Sequence, residues 1–413
     1  MKKIKTDSLY LISRERLSIG LFHIGILIAF YGSMYPWFMW SVDSVYMIPA
    51  AFFVFISINV SSSLKKQLFK RNDFLFPLIC YITLGLYQII VNKMVLNAYF
   101  AFIFNIVIFY SIFRYDTKLL LNVSTFLSKT MAVLLSVSLP LYILYILGFP
   151  LPYVNIQYHD AVYSFSNYYF FLVDDRALFE FFPRFNSVFL EPAHLGTALV
   201  VLLQAQRGYW KKWYNIILLT SVIFTFSLGA YIYLIFVVFL NSWTNGKKIF
   251  KQFAISLTVM LSVVAGAFIY NEGDNLIHNL ILLRLEVEDG DIAGNNRVSS
   301  DFEMDYQKFL NSNQFLFGTD FEQTTGASGY KVYYYDYGVV GILLLFAFYV
   351  AVLSRAQNRR AAVSAAVIAF LIFGVDAFVL WYNRFIPLFC SAFRENDEID
   401  SVSEFPESQN QII

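Results

Sequence analysis

The chain has 413 residues, of which 58% are hydrophobic, 19% aromatic and only 14% charged. Soluble domains carry about 25% charged residues. A mean hydropathy of +0.58 means more apolar surface than one water-soluble core can hide, which excludes a cytosolic enzyme, a secreted disulfide scaffold and a disordered chain. The net charge of +1 gives no basis for a nucleic-acid partner, and Cys80 and Cys390, far apart in apolar stretches, read as small core residues without a disulfide framework.

The segment up to Arg16 is basic, and an apolar run from Leu17 to about Met34 follows it. The run is long enough to cross a bilayer and lacks a small-residue cleavage site. Tyr35, Pro36, Trp37 and Trp40 close it as an interfacial cluster would, so it reads as an uncleaved first membrane helix. Further apolar windows fall at 43–60, 74–92, 95–113, 130–148, 187–206, 213–227, 229–241, 252–270 and 337–353, and 361–393 divides into two short spans around Asp376. Each of the pairs 213–227/229–241 and 361–375/377–393 also reads as one long helix. The predicted fold class is all-α: one polytopic membrane domain over 1–393 with ten to twelve transmembrane helices, twelve preferred. No repeat of 20–50 residues is visible, and the acidic tail over 394–413 reads as disordered.

Lysine and arginine orient these spans. They cluster before span one (Lys2, Lys3, Lys5, Arg14, Arg16), after span two (Lys65, Lys66, Lys70, Arg71), before span five (Arg114, Lys118, Lys129), after span six (Arg207, Lys211, Lys212), before span nine (Lys247, Lys248, Lys251) and after span ten (Arg355, Arg359, Arg360). Every second connection is basic, and the positive-inside rule puts those connections in the cytoplasm. Counting 213–241 as two spans, reversed at Ser227-Leu228-Gly229, keeps Lys247 and Lys248 inside. Two long connections, 149–186 and 271–336, then fall on the outer side, and loops of that length usually carry function.

The chain has no G-x-x-x-x-G-K-[ST], C-x-x-C, H-E-x-x-H or G-x-S-x-G. Asp289-Gly290-Asp291 spells D-x-D in an acidic turn; it reads as a solvated turn, with a metal site as the alternative. The first outer loop ends in Arg184-Phe-Asn-Ser-Val-Phe-Leu-Glu191-Pro192-Ala-His194-Leu-Gly196. Pro192 suits the first position of a helix, leaving Glu191 near the N-cap and His194 three residues on. A helix N-terminus beside an arginine is a place for phosphate. In the plainer alternative Glu191 caps the helix and pairs with Arg184, and His194 is a satisfied polar residue. In the second outer loop Arg284 and Arg297 flank the acidic turn, an amphipathic segment spans Ser300 to Leu310, and Gly318-Thr-Asp320 follows. A tyrosine run then ends in Tyr335-Asp336-Tyr337-Gly338-Val-Val-Gly341. Such a run is either an interfacial belt or a surface for stacking on sugar rings.

With these features the chain resembles the O-antigen polymerase (Wzy) family of the O-antigen ligase/polymerase superfamily. The resemblance rests on the Arg184–Gly196 stretch with its F-L-E-P core, the hairpin Phe226-Ser227-Leu228-Gly229, Arg297 ahead of Phe317-Gly318, and Tyr337-Gly338-Val-Val-Gly341. Two large loops in a ten-to-twelve-span chain extend it over nearly the whole sequence. The hairpin departs from the family's S-R-x-G or S-x-T-G. The first loop motif is one residue longer than R-x(10)-G, and Arg297 does not match R-x(15)-G. Related ligases place an essential histidine late in the second loop, and no histidine lies between Arg297 and Gly341, which favours the polymerase.

The resemblance implies glycosyl transfer at the periplasmic face of the bacterial inner membrane, without a metal or other cofactor. A growing glycan on undecaprenyl diphosphate moves onto the non-reducing-end sugar of one lipid-linked repeat unit, making O-antigen or capsular polysaccharide, and undecaprenyl diphosphate leaves. Partners are the lipid-linked donor and acceptor, membrane lipid and, as an open question, a chain-length regulator. Arg184 and Arg297, with Arg284 as a third candidate, would hold the diphosphate; Glu191 or His194 would take the acceptor's proton; Tyr335, Asp336 and Tyr337 would meet sugar. The alternatives are a ligase transferring polymer to lipid A core and, in another class, a lipid-linked oligosaccharide flippase, to which Asp376 within an apolar stretch points.

Overall fold

Hydropathy on every side of a helix is the rule in this chain. In α2 (Met47–Val60) the buried face is Met47, Ala50, Ala51, Val54 and Ser57, while Ile48, Phe52 and Phe55 form an exposed apolar stripe opposite. A helix apolar all round belongs in a large core or in lipid. The computed structural model describes residues 2–60, 75–92, 96–114, 117–158, 163–175, 183–244, 287–288, 291–292, 300–319, 329–354, 359–376 and 382–392, with isolated positions between 254 and 270 and at 356 and 358. Most of the expected span 252–270, the acidic tail, Arg284 and Arg297 lie outside these residues.

The described chain is mostly helical. α1 (Lys2–Gly32), α2, α3 (Leu75–Asn92), α4 (Leu96–Arg114) and α5 (Thr117–Ile146) form its first half. α6 (Pro192–Ala205), α7 (Trp213–Phe224), α8 (Leu228–Thr244), α9 (Ser300–Leu310), α10 (Tyr330–Leu353), α11 (Arg359–Asp376) and α12 (Ile386–Ala392) follow. Among the described residues three stretches, Arg14–Gly32, Asn122–Ile146 and Tyr330–Leu353, are long and apolar enough to cross a membrane. α6 sits at the centre: every residue from His194 to Ala205 is buried, against α5, α7, α8, α11 and α12.

Helices approach closely where small residues permit. Gly25 of α1 faces the Ala50 carbonyl and Val54 of α2, and a Cβ there would stand 2.7 Å from each. One end of the same pair is tied by reciprocal bonds, the Ser18 hydroxyl donating to the Ser57 carbonyl and the Ser57 hydroxyl to the Ser18 carbonyl, both at 2.7 Å. Small residues and hydroxyls are what let apolar helices associate without a hydrophobic driving force between them.

Several expectations are revised. The connection expected as the first outer loop holds a three-stranded antiparallel sheet, β1 (Val154–Tyr158), β2 (Tyr163–Asn167) and β3 (Leu172–Asp174), with Ile156 opposite Phe165 and Phe165 opposite Asp174. Phe165 and Leu172 pack with Leu190 under Tyr35, Trp37, Trp40, Ile156 and Tyr158. A second, two-stranded pair (Val287–Glu288 with Asp291–Ile292) brackets the acidic turn. Residues 213–241 do form two helices, but the reversal lies at Phe226, φ 45°, and Gly229 is buried inside α8. α11 ends at Asp376, where the second short span was to begin, yet α12 is only seven residues long.

In the second loop, α9 has the expected bounds. Its apolar face, Phe302, Tyr306 and Phe309, docks on Val332, Tyr334 and Tyr335 at the start of α10. Lys331 donates to Glu303 at 2.7 Å and Gln307 donates to it at 3.0 Å, which together hold the Glu303 carboxyl below the usual carboxylate range. Both partners are partly exposed, so the pair adds little to overall stability. A carboxyl depressed on folding contributes fully above its unfolded pKa and loses that contribution as pH falls through the folded one. We therefore expect amide protection in α9, relative to the rest of the chain, to fall as pH drops below 4.5. Glu303→Gln should remove this pH dependence; hydrogen exchange with the variant checks it, and an unchanged dependence would assign it to another group.

Candidate functional site

The stretch between Pro183 and Glu191 forms no helix or strand of its own, yet Phe185 to Leu190 are all buried. Other elements satisfy its backbone. The Tyr142 hydroxyl of α5 donates to the Pro183 carbonyl. The Phe185 amide donates to the Phe224 carbonyl at the end of α7 (3.1 Å), and the Leu172 amide of β3 to the Ser187 carbonyl (2.9 Å). The Trp37 amide donates to the Val188 carbonyl (2.9 Å), and Pro36 bridges to Phe189. Ser187 takes φ 52°, which a residue with a Cβ rarely adopts, and Ser138 of α5 donates to its hydroxyl at 2.9 Å. A segment held by α5, α7, β3 and the α1–α2 turn fixes what stands at its two ends, and these are Arg184 and Glu191, both half-buried.

The expected helix start is found: Glu191 is the N-cap with φ −138° and ψ 151°, and Pro192 opens α6. The Glu191 carboxylate does not cap the helix amides, so the plainer capping role is not taken. The His194 amide bonds to the Glu191 carbonyl at 3.1 Å. The His194 side chain is 4% exposed, hydrogen-bonds the main chain of Met34 and lies 6.2 Å from the Tyr35 ring.

Sequence reasoning missed Arg384. It stands in the turn Tyr382–Phe385, has no exposed surface, donates to the Ser33 carbonyl at 2.8 Å and lies within electrostatic range of His194. Its signal was an arginine inside the apolar run Trp381 to Phe389; charges inside apolar segments are costly and usually have a use. Ser33 and Met34 directly follow the last residue of α1, and α6 begins at Pro192. The partially negative end of one helix thus meets the partially positive end of another, with a guanidinium and an imidazole between them. Donors and a cation gathered at a helix N-terminus suit an anion such as a phosphate.

Two of the sequence elements meet here. A Cβ on Gly196 would stand 2.7 Å from that of Ala230 and near Thr225 and Ser227, so α6 rests directly on the α7–α8 reversal. The other two meet elsewhere. Gly318 and Gly338 lie back to back: a Cβ on Gly318 would stand 2.1 Å from the Asp336 carbonyl oxygen, and one on Gly338 2.5 Å from Leu316. Gly338, φ 61° and ψ −169°, breaks α10, and the Tyr87 hydroxyl of α3 clips the joint by donating to the carbonyls of Phe317 (2.8 Å) and Tyr337 (2.9 Å). The Tyr335 ring packs on Phe302 and Phe309, and the Tyr337 ring on Tyr333 at 4.8 Å. Asp336 is buried at the joint, and its Oδ1 has no hydrogen-bond partner. Glu191 and His194 therefore share one junction, built on α1, α6 and the 382–385 turn, and Arg184 stands at the other end of the anchored segment that leads to it, held against α5 and α7; Asp336 and Tyr337 belong to a separate junction, built on α3, α9 and α10.

The α10 joint tests the role of glycine. The pair φ 61° and ψ −169° is essentially confined to glycine, and a Cβ there would stand 2.5 Å from the Leu316 carbonyl and 2.6 Å from the Gly318 amide. Gly338→Ala is expected to cost about 1–3 kcal/mol, read as a lower thermal midpoint in detergent; an unchanged midpoint would show that the joint relaxes. No family model matches this chain, and neither a curated protein nor a solved structure matches it.

Proposed function

We propose that this chain is a membrane glycosyltransferase that joins diphosphate-lipid-linked oligosaccharide repeat units into polymer on the periplasmic face of the bacterial inner membrane. The observation that carries this reading is the buried Arg384–His194 pair at the N-terminus of α6, directly behind Glu191 and reached by the anchored Arg184 segment. Apolar outer faces and three helices of membrane-crossing length support placement in a bilayer. The activated leaving group is a lipid diphosphate, so the reaction needs charge neutralisation and a proton acceptor.

In the proposed reaction the C1–oxygen bond to the donor diphosphate breaks and the acceptor hydroxyl oxygen bonds to that carbon. The hydroxyl proton passes to Glu191, and the diphosphate leaves with the electron pair of the broken bond. Glu191 is the better placed acceptor because it stands half-buried at the start of α6, whereas His194 is enclosed. His194, 4% exposed and bonded to the main chain of Met34, fits a positioning role with Arg384. Arg184 neutralises the diphosphate through two hydrogen bonds that a lysine cannot copy. Arg284 and Arg297 remain proposed partners of the same phosphates.

Topology is tested first. Cysteines at the exposed positions Asn155 and Asn311 should react with an impermeant reagent added from the periplasmic side. Cytoplasmic labelling at either would end this mechanism.

The chemistry is tested by variants. Arg184→Ala and Arg184→Lys should both abolish long polymer while the protein inserts normally. Glu191→Gln should slow transfer by a factor of about 10²–10⁴ and leave single repeat units that are still exported and attached. Full activity in Glu191→Gln with loss in His194→Ala would reverse the two roles. A deletion strain that accumulates long polymer on the carrier lipid points to a ligase, and one whose repeat units never reach the outside points to a flippase.

A further inference from the structure

Beside this junction lies an open cleft of about 420 Å³ between the α1–α2 turn and strand β1, lined by Trp37, Trp40, Ser41, Ile156, Gln157 and Tyr158. Its size is that of a small-ligand site. Three of the six lining residues are aromatic, and Ser41 and Gln157 stand exposed at its rim. Both indole N–H groups are already used: Trp37 Nε1 donates to the Tyr169 carbonyl at 3.0 Å and Trp40 Nε1 to the Tyr35 carbonyl at 2.9 Å. The ring planes are therefore set before any ligand arrives, and a ligand would meet ring faces, with an amide and a hydroxyl alongside.

The cleft leads to the junction through rings. Trp40 and Tyr158 lie 4.9 Å apart, Tyr158 and Tyr35 6.4 Å, and Tyr35 and His194 6.2 Å. Tyr35 is held at φ 53°, in a region that bulky residues rarely adopt and that recurs at ligand sites. Aromatics of an interfacial belt face lipid from a convex surface. These line a hollow, with polar groups beside them.

We propose that this cleft is a sugar subsite: Trp40 stacks on the C–H face of a pyranose of the lipid-linked glycan, Tyr158, whose ring stands at 63° to that of Trp40, bounds the sugar at its side, and Gln157 and Ser41 bond its hydroxyls, placing the next sugar toward Glu191 and His194. The proposal rests on the glycosyl-transfer reading and gives its substrate a place.

The probe is the oligosaccharide released by mild acid from the glycolipid fraction of the source cell, with cellopentaose for comparison. Binding to the full-length protein in nanodiscs is followed by saturation-transfer NMR and titration calorimetry. Trp40→Ala should weaken binding by about tenfold, the equivalent of 1.4 kcal/mol, and Gln157→Ala and Ser41→Ala by severalfold each. These two side chains are exposed, so they decide the matter if Trp40→Ala fails to fold. Arg184→Ala should bind this diphosphate-free oligosaccharide as the parent does while making no polymer. Equal binding by the parent, Gln157→Ala and Ser41→Ala overturns the subsite, as does a parent that binds no oligosaccharide or whose cleft responds only to phospholipid; polymer formation by that same parent leaves the glycosyl-transfer reading standing. A parent inactive in polymer formation whose oligosaccharide binding is lost in the cleft variants has the opposite meaning: the subsite stands and the polymerase reading falls.

Discussion

A guanidinium without exposed surface must be met by oxygen or by an anion, and in this chain Arg384 meets the carbonyl that ends α1. The bond joins residues 351 positions apart. It ties the last described turn to the first helix, with the N-terminus of the central α6 between them. Three chain regions thereby have to be in place before the junction exists. His194 can stay buried because Met34 accepts from the same helix end, and Glu191 stands half-buried at the helix start without capping it. The anchored stretch from Pro183 completes the arrangement by fixing Arg184.

Much of this was legible wherever a local rule acts alone. Pro192 marked the start of α6, since proline at the first helical position sacrifices no hydrogen bond. The 3.6-residue spacing of Phe302, Tyr306 and Phe309 among charges marked α9 to the residue. The α7–α8 break was read from charge alternation, but the glycine beside it does not make the turn. Phe226 takes the positive φ, and Gly229 lies within the helix.

What was missed depended on distant contacts or on a pattern eclipsed by its surroundings. V-N-I-Q-Y and Y-S-F-S-N alternate as strands do, yet among so many apolar windows they passed as loop. Their burial depends on Trp40 and Leu190, far away in sequence. Lys118 and Lys129 delay the start of the expected span to residue 130, although lysine is a good helix former, and α5 begins at Thr117. Arg384 hid inside an apolar run because its partner, a main-chain carbonyl, leaves no trace in sequence. The pairing of Gly318 with Gly338 is similar: each read as a motif position, and only the fold shows that each clears space for the other's backbone.

The brevity of two central helices has a consequence for the surrounding lipid. α7 has 12 residues and α6 has 14, so at 1.5 Å per residue they reach only about 18 and 21 Å, against a hydrocarbon layer of about 30 Å. α6 is enclosed by protein, so in a bilayer the hydrophobic mismatch falls to α7, whose Trp213, Ile216 and Ile223 are exposed, and it is met by local thinning at a fraction of a kcal/mol per Å. The end of α7, whose Phe224 carbonyl holds the Phe185 amide, would then lie at the floor of a dimple in the membrane surface. In the proposed reaction a carrier lipid arriving from the side would keep its tail in hydrocarbon while its head group reached the anchored Pro183–Glu191 stretch, without being lifted out of the leaflet.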